Sequence, residues 1–194
     1  MPKAASRPLA RRSCRTLGPT SSNPRRTSAV SHSPLNWSSA LDTSLITRRF
    51  LAGWADMDWN SHMANTAYLN KVVDARVLAL ANKGFPMEEF IRLRLGVVIM
   101  KDELEYKREV KWMEEIDITF SLAGFAPDGS RFKVQNEVRR ANGDLAARIT
   151  STGGFMDLDA RKLVAPPPAI LAAYLSLPRT EDYVELPSSM KVRP

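Results

Sequence analysis

A change of hydrophobic period near Ala64 constrains the fold of this chain more than any other feature. The residues after it carry apolar side chains at helical spacing: Leu69, Val72, Val73, Val77 and Leu80. Asn65 or Thr66 is placed to cap the start of this helix, and Gly84 with Pro86 ends it. The pattern therefore predicts a helix of about 17 residues, roughly 25 Å long.

The segments on either side of this helix have the period of strands. Residues 46–55 predict one strand before it, and four segments predict strands after it: residues 95–106, 116–122, 132–139 and 145–158. Pro127-Asp128-Gly129 and Asn142-Gly143 are typical of the turns that join antiparallel strands. Gly153-Gly154 indicates a bulge or a close backbone approach. One long helix with an antiparallel sheet is an α+β arrangement.

The two ends of the chain are predicted to lie outside this unit. Residues 1–41 hold seven Lys or Arg and no acidic residue, whereas the rest of the chain is balanced between the two signs. Without periodic apolar residues, this basic segment is expected to be a disordered tail. We expect one domain over residues 42–175, with a short helix over residues 169–175, and a C-terminal surface extension of coil over residues 176–194.

The densest group of polar residues lies where the first strand gives way to the helix, in the segment Asp56–Tyr68. It holds two carboxylates, Asp56 and Asp58, and His62, which is one of only two histidines in the chain. Asn60, Ser61 and Asn65 add amide and hydroxyl groups. Such a concentration of polar groups at a strand-to-helix junction predicts a functional site.

This segment resembles the motif of hotdog-fold thioesterases of the 4-hydroxybenzoyl-CoA thioesterase type, in which Asp-x-Asp-x-x-Gly-His-x-Asn-Asn-x-x-Tyr leads into the central helix. Ser61 stands where that family usually has Gly, and Ala64-Asn65 replaces the common Asn-Asn pair. The predicted element order also matches the hotdog fold. The resemblance implies a curved antiparallel sheet wrapped around one long central helix.

Thioester hydrolysis needs a nucleophile or general base near the carbonyl carbon and donors aimed at the developing oxyanion. A carboxylate before a helix and the free N–H groups of the first helical turn have these properties. The resemblance implies that Asp58 acts as nucleophile or base and that a backbone N–H near Asn65 polarises the carbonyl. His62 is a third catalytic candidate, and the substrate-binding candidates are Trp59, Ser61 and Tyr68.

Two further carboxylates are expected to be structural. Asp56 is predicted to orient the loop or to pair with Arg48 or Arg49. Asp74 and Arg76, two residues apart on the helix, are predicted to form an ion pair at a subunit contact.

The resemblance implies an acyl-CoA or acyl carrier protein thioester as substrate, no cofactor beyond the CoA of the substrate, and a homodimer or dimer of dimers. The scarcity of His and Cys argues against a metal site. The neutral main part of the chain argues against nucleic-acid binding, and no apolar run is long enough for a membrane span. The location is expected to be cytoplasmic, or mitochondrial or plastid if the basic tail is a transit peptide.

Three alternative functions remain open at this stage. The first is a non-catalytic hotdog protein that binds an acyl ligand or a partner, and the Ser61 departure from the motif supports it. The second is a nucleic-acid-binding protein acting through the basic tail. The third, dehydration on the same fold, fits the residues after His62 poorly.

Overall fold

The computed structural model describes residues 46–190 of the 194-residue chain, and the predicted basic tail lies outside them. The strands are β1 (Ile46–Leu51), β2 (Leu95–Tyr106), β3 (Glu115–Phe125), β4 (Arg131–Arg140), β5 (Leu145–Asp157), β6 (Lys162–Val164) and β7 (Arg179–Glu185). The helices are α1 (Asn65–Asn82), α2 (Met87–Arg92) and α3 (Pro168–Leu175), and a short 3-10 turn covers Trp54–Asp56. The order strand, long helix and then strands confirms the sequence prediction.

Five of the strands form an antiparallel sheet in the order β1-β3-β4-β5-β2. The short β6 pairs with β5, and β7 pairs with β3 in the parallel direction. Strand β2 therefore lies at one end of the order, with β5 as its neighbour. On β3, Ile116, Ile118, Phe120 and Leu122 are buried while the residues between them are not, as the alternation predicts.

Helix α1 packs on the sheet through contacts with β1, β3, β4 and β5. Its buried residues recur at helical spacing and include Tyr68, Val72, Ala75 and Leu80. The helix begins at Asn65, after Ala64 as its N-cap, and no side chain caps it. The prediction that Asn65 or Thr66 caps the helix is therefore wrong.

A close backbone approach occurs at Gly153 in β5, as the glycine pair predicts. A Cβ atom at this position would lie 2.5 Å from the carbonyl oxygen of Val98 and 2.7 Å from the ring of Phe132. The register of β2 against β5 shifts between Ile99 and Lys101, which leaves Met100 as the extra residue of a bulge. Glycine at 153 thus lets β2 and the Phe132 ring both pack against β5.

The segment after α3 differs from the predicted coil, because residues 179–185 form β7 beside β3. The backbone of Leu122 donates to the carbonyl of Pro178, and that of Leu186 donates to the carbonyl of Phe125, so both ends of β7 are tied to β3. Surface coil is therefore the wrong description of these residues. No helix of the described residues is both long and apolar enough to cross a membrane.

Candidate active site

The loop between the 3-10 turn and α1 folds back on itself around Asp58. Met57 and Met63 pair as an antiparallel bridge, and His62 forms a second bridge with Lys111. Asp58 Oδ1 accepts hydrogen bonds from the backbone N–H groups of Asn60 (2.8 Å) and His62 (3.2 Å). The second oxygen, Oδ2, has no hydrogen-bond partner among the described residues. One oxygen therefore fixes the carboxylate, and the other is available for chemistry.

Ser61, where the family motif has glycine, adopts a backbone conformation that favours glycine. Its φ is 62°, in the left-handed region that residues with a Cβ atom disfavour. Its backbone N–H donates to the carbonyl of Asp58 at 3.1 Å, so this conformation closes the turn. Serine therefore takes the left-handed conformation that glycine adopts readily, and the departure from the motif leaves the turn closed.

Replacing Ser61 by glycine is expected to stabilise the protein by about 1 kcal/mol, because glycine adopts positive φ without the steric cost. The free energy of unfolding from denaturant titration is the measurement. Asn60→Gly, in the same exposed loop, is the control and should not stabilise the protein. An unchanged or lower stability of Ser61→Gly would show that the serine is not strained.

The start of α1 offers free backbone donors beside this loop. The backbone N–H groups of Asn65 and Thr66 make no hydrogen bond in the described part of the chain, whereas that of Ala67 donates to Ala64. Such first-turn N–H groups carry partial positive charge and attract negative charge. They are the donors that an oxyanion next to Asn65 would require.

A cavity of about 380 Å³ brings most of the predicted site residues together. Asp58, His62, Asn65 and Tyr68 line it, together with four residues that the sequence did not indicate: Tyr106, Lys107, Arg108 and Glu109. These four come from the end of β2 and the segment after it, about forty residues away in sequence. The catalytic roles of the first group stay predictions.

His62 and the two tyrosines are fixed by contacts across this cavity. His62 Nε2 lies 3.2 Å from Glu109 Oε2. The Tyr106 hydroxyl donates to the Asn65 carbonyl at 3.0 Å, and the rings of Tyr68 and Tyr106 meet edge to face at 5.4 Å. Burial raises the pKa of both tyrosines, so both hydroxyls stay protonated at neutral pH.

Two of the predicted substrate-binding residues lie outside the cavity. Trp59 is fully exposed at the tip of the loop, and Ser61 is also exposed. Neither of them lines the cavity, whereas Tyr68 does. Their roles in substrate binding stay predictions, and any contact with a substrate would be made from the outer surface of the loop.

Asp56, unlike Asp58, contacts a lysine of α1. Its Oδ2 accepts from the Gly53 backbone N–H at 2.8 Å and lies 2.9 Å from Lys71 Nζ on α1. These contacts fit the predicted role of orienting the loop, whereas the alternative of pairing with Arg49 is wrong, because Arg49 binds Asp117 at 2.8 Å. Asp56 therefore ties the 3-10 turn to the helix.

A second cavity of about 380 Å³ lies farther along α1 and is apolar. Its lining includes residues of α1 and β2 and four phenylalanines: Val73, Val77 and Leu80 of α1, Leu95 and Val97 of β2, and Phe85, Phe90, Phe120 and Phe132. Both cavities therefore contact α1 and β2. The first lies at the start of α1 and the end of β2, and the second lies along the later part of α1 and the start of β2.

The predicted Asp74–Arg76 ion pair is absent from the described residues. Asp74 is exposed, whereas Arg76 is buried beneath α1 and donates to Asn136 Oδ1 at 2.8 Å and to Ser151 Oγ at 2.7 Å. Residues two apart on a helix point to different sides, which is why the two side chains do not meet.

Comparison with known proteins gives a family and a fold. A family model described as the thioesterase-like superfamily matches residues 52–174, more than half of the chain. The match includes the Asp58 loop, α1 and both cavity walls. A sequence comparison with the curated proteins gives no match.

Solved structures with the same fold have low sequence identity to this chain. A hypothetical protein from Staphylococcus aureus in complex with CoA has a TM-score of 0.62 and 17% identity, covering 77% of this chain and 95% of that one. A 1,4-dihydroxy-2-naphthoyl-CoA thioesterase from Synechocystis has a TM-score of 0.62 and 15% identity, covering 68% and 96%. A gentisyl-coenzyme A thioesterase has a TM-score of 0.58 and 16% identity, covering 64% and 98%. At these identities the likeness establishes the hotdog fold, with its curved antiparallel sheet.

Proposed function

Because this chain belongs to the thioesterase-like superfamily, we propose that it is an acyl-CoA thioesterase that hydrolyses a thioester to a free carboxylic acid and CoA. One observation carries the proposal: the Asp58 carboxylate and the start of α1 lie at the same cavity. One oxygen of Asp58 is held by backbone hydrogen bonds and the other has no partner among the described residues, and the first N–H groups of α1 are also without partners there. The sheet wrapped around α1, as in the hotdog arrangement, is part of the same proposal.

The chemistry assigned to these groups is a substitution at the thioester carbonyl. Asp58 removes a proton from a water molecule whose oxygen forms the new C–O bond, or attacks the carbon itself to give an anhydride that water then cleaves. In both routes the carbonyl oxygen becomes an oxyanion, and the N–H groups of Asn65 and Thr66 stabilise it. The C–S bond then breaks, the CoA thiolate takes a proton, and no cofactor is needed.

The cavity also carries groups suited to CoA. Lys107 and Arg108 line it together with Asp58. The Arg108 guanidinium makes one hydrogen bond to the described residues, from Nη1 to the carbonyl of Lys107, so it has further donors available. Phosphates are bound by such cations. We assign these two residues to the CoA phosphates and the apolar cavity to the acyl chain.

Several neighbours of the same fold are named as CoA thioesterases, and one is a complex with CoA, which supports the choice of acyl-CoA over other thioesters. The other candidate functions are a thioesterase for acyl carrier protein and a non-catalytic protein that binds an acyl ligand or partner.

A hydrolysis screen tests the proposal. Acyl-CoAs with short, medium, long and aromatic acyl groups are expected to be cleaved at different rates. At least one of them should release CoA as free thiol well above the uncatalysed rate. The thiol is followed with a colorimetric reagent, and acyl carrier protein thioesters are compared with acyl-CoAs. Binding of acyl-CoA without cleavage of any member would favour the non-catalytic alternative.

A further inference from the structure

Two polar side chains face the otherwise apolar cavity along α1. Arg76 is the only charged residue among the described residues that line it, and Tyr174 is the only other one with a polar side-chain group. Arg76 is 9% exposed and Tyr174 is 2% exposed. Arginine is rarely buried to this degree without a charged partner.

Arg76 has neutral partners instead of an anion. Its Nε and Nη2 donate to Asn136 Oδ1 and Ser151 Oγ, and no carboxylate of the described residues lies within ion-pair distance of it. The nearest acid in this network, Asp102, is reached only through the Ser151 hydroxyl, which donates to Asp102 Oδ1. The third guanidinium nitrogen, Nη1, has no acceptor among these residues. Burial lowers the pKa of Arg76, yet a guanidinium stays protonated at neutral pH.

Tyr174 presents a second donor without a protein acceptor. Its ring packs between Phe125, Phe132 and Phe155, with centroid distances of 5.1–6.1 Å. Its hydroxyl has no hydrogen-bond partner among the described residues, and it is not one of their fully buried unpartnered atoms, so it keeps some contact with the open space of the cavity. Burial raises the pKa of this hydroxyl, while the nearby charge of Arg76 acts in the opposite direction. The hydroxyl is therefore protonated and able to donate.

We propose that this cavity selects acyl groups whose far end carries a carboxylate, which accepts hydrogen bonds from Arg76 Nη1 and from the Tyr174 hydroxyl. A carboxylate in the cavity would contact the guanidinium directly, whereas Asp102 reaches it only through Ser151, and it has enough lone pairs for both donors. A methyl-ended chain would fill the apolar walls but leave both donors unpaired, which is costly in a buried site. The substrate class is then an ω-carboxyacyl-CoA.

The proposal rests on the thioesterase function and deepens it. Arg76 lies eleven residues after Asn65 on α1, which is about 16 Å along the helix at ~1.5 Å per residue. An acyl chain held at Asn65 would run along α1 to reach Arg76. The preference for a carboxylate should therefore appear once the chain spans this path, and the length at which it appears measures the path.

Binding of non-hydrolysable thioethers of CoA tests the inference separately from catalysis. Each alkyl-CoA thioether is compared with the ω-carboxyalkyl thioether of the same length, by calorimetry over a series of lengths. At the matching length we expect the carboxylate to tighten binding by at least about 10-fold. Arg76→Gln should abolish this preference, and Tyr174→Phe should reduce it several-fold.

Tyr183→Phe is the matched control, because Tyr183 packs on the same core cluster but does not line the cavity. It should leave the preference unchanged. If Arg76→Gln does not fold, Tyr174→Phe decides, since it removes only a hydroxyl that no protein group uses. Equal binding of the matched probes, binding of neither, or an unaltered preference in Tyr174→Phe would overturn the inference.

The outcome is separable from that of the proposed function. A carboxylate preference that depends on Tyr174, without hydrolysis of any thioester, would sustain this inference and refute the hydrolase. Hydrolysis of acyl-CoAs with no carboxylate preference in the thioether series would do the reverse.

Discussion

Replacing Asp58 by asparagine is expected to lower kcat by about 100-fold or more, the range for the loss of a general base. Asparagine keeps Oδ1 as the acceptor for the backbone N–H groups of Asn60 and His62, so the loop should hold its shape. The change falls on Oδ2, which has no protein partner. The measurement is steady-state hydrolysis of the best acyl-CoA from the screen, with circular dichroism to establish folding.

Asp56→Asn is the matched control for this prediction. It weakens the ion pair with Lys71, which joins the 3-10 turn to α1, and should reduce the free energy of unfolding by about 1–3 kcal/mol. Folded Asp56→Asn should keep most of its activity at a temperature well below its Tm. A folded Asp58→Asn variant within a few-fold of the parent rate would remove Asp58 from the chemistry.

The role of Asp58 as nucleophile or as base can then be separated in the parent enzyme. Single-turnover hydrolysis in heavy-oxygen water places the label in the product acid if Asp58 is a base. An unlabelled first product, whose new oxygen comes from the Asp58 carboxylate, identifies Asp58 as a nucleophile whose anhydride water cleaves at the Asp58 carbon.

The fold was predictable because its main signals are local. The period of the apolar residues specified α1 and the long strands, and the glycine pair in β5 indicated the close packing with β2. The sequence does not predict strand β7, because its apolar and polar residues do not alternate. The structure agrees with this pattern, since only Thr180 and Tyr183 of the strand are partly buried. Its pairing with β3 is a long-range contact that no local pattern encodes.

The site was predictable only where one segment supplies it. Asp58, His62, Asn65 and Tyr68 belong to a single motif, and the structure gathers all four around one cavity. The opposite wall, from Tyr106 to Glu109, comes from a segment whose charges are typical of any exposed strand end. The sequence predicts the wrong partner for Arg76 for a related reason, because its acceptors Asn136 and Ser151 lie on distant strands.

The chain is expected to be a homodimer joined through β2, with the two copies of this strand side by side. Strand β2 ends the sheet order, and at ~3.3 Å per residue its twelve residues form an edge about 40 Å long. Val97, Ile99 and Met100 on this strand are each 38–47% exposed. Val73, Val77 and Leu78 on the neighbouring α1 are exposed to a similar degree. A long edge whose first half exposes apolar side chains invites pairing with a second chain.

Ile99→Asp should therefore weaken the dimer by at least about 30-fold, which corresponds to about 2 kcal/mol at a central apolar contact. Sedimentation equilibrium across micromolar concentrations gives the dissociation constant. Leu51→Asp is the matched control, because Leu51 is 44% exposed on β1 at the other end of the sheet order. It should leave the dimer intact, since the charge lies away from β2. The parent chain sedimenting as a monomer at micromolar concentration, or equal weakening by both variants, would exclude β2 as the contact.

Because Val97 and Ile99 also line the apolar cavity, dissociation should open that cavity to water and lower hydrolysis in Ile99→Asp alone.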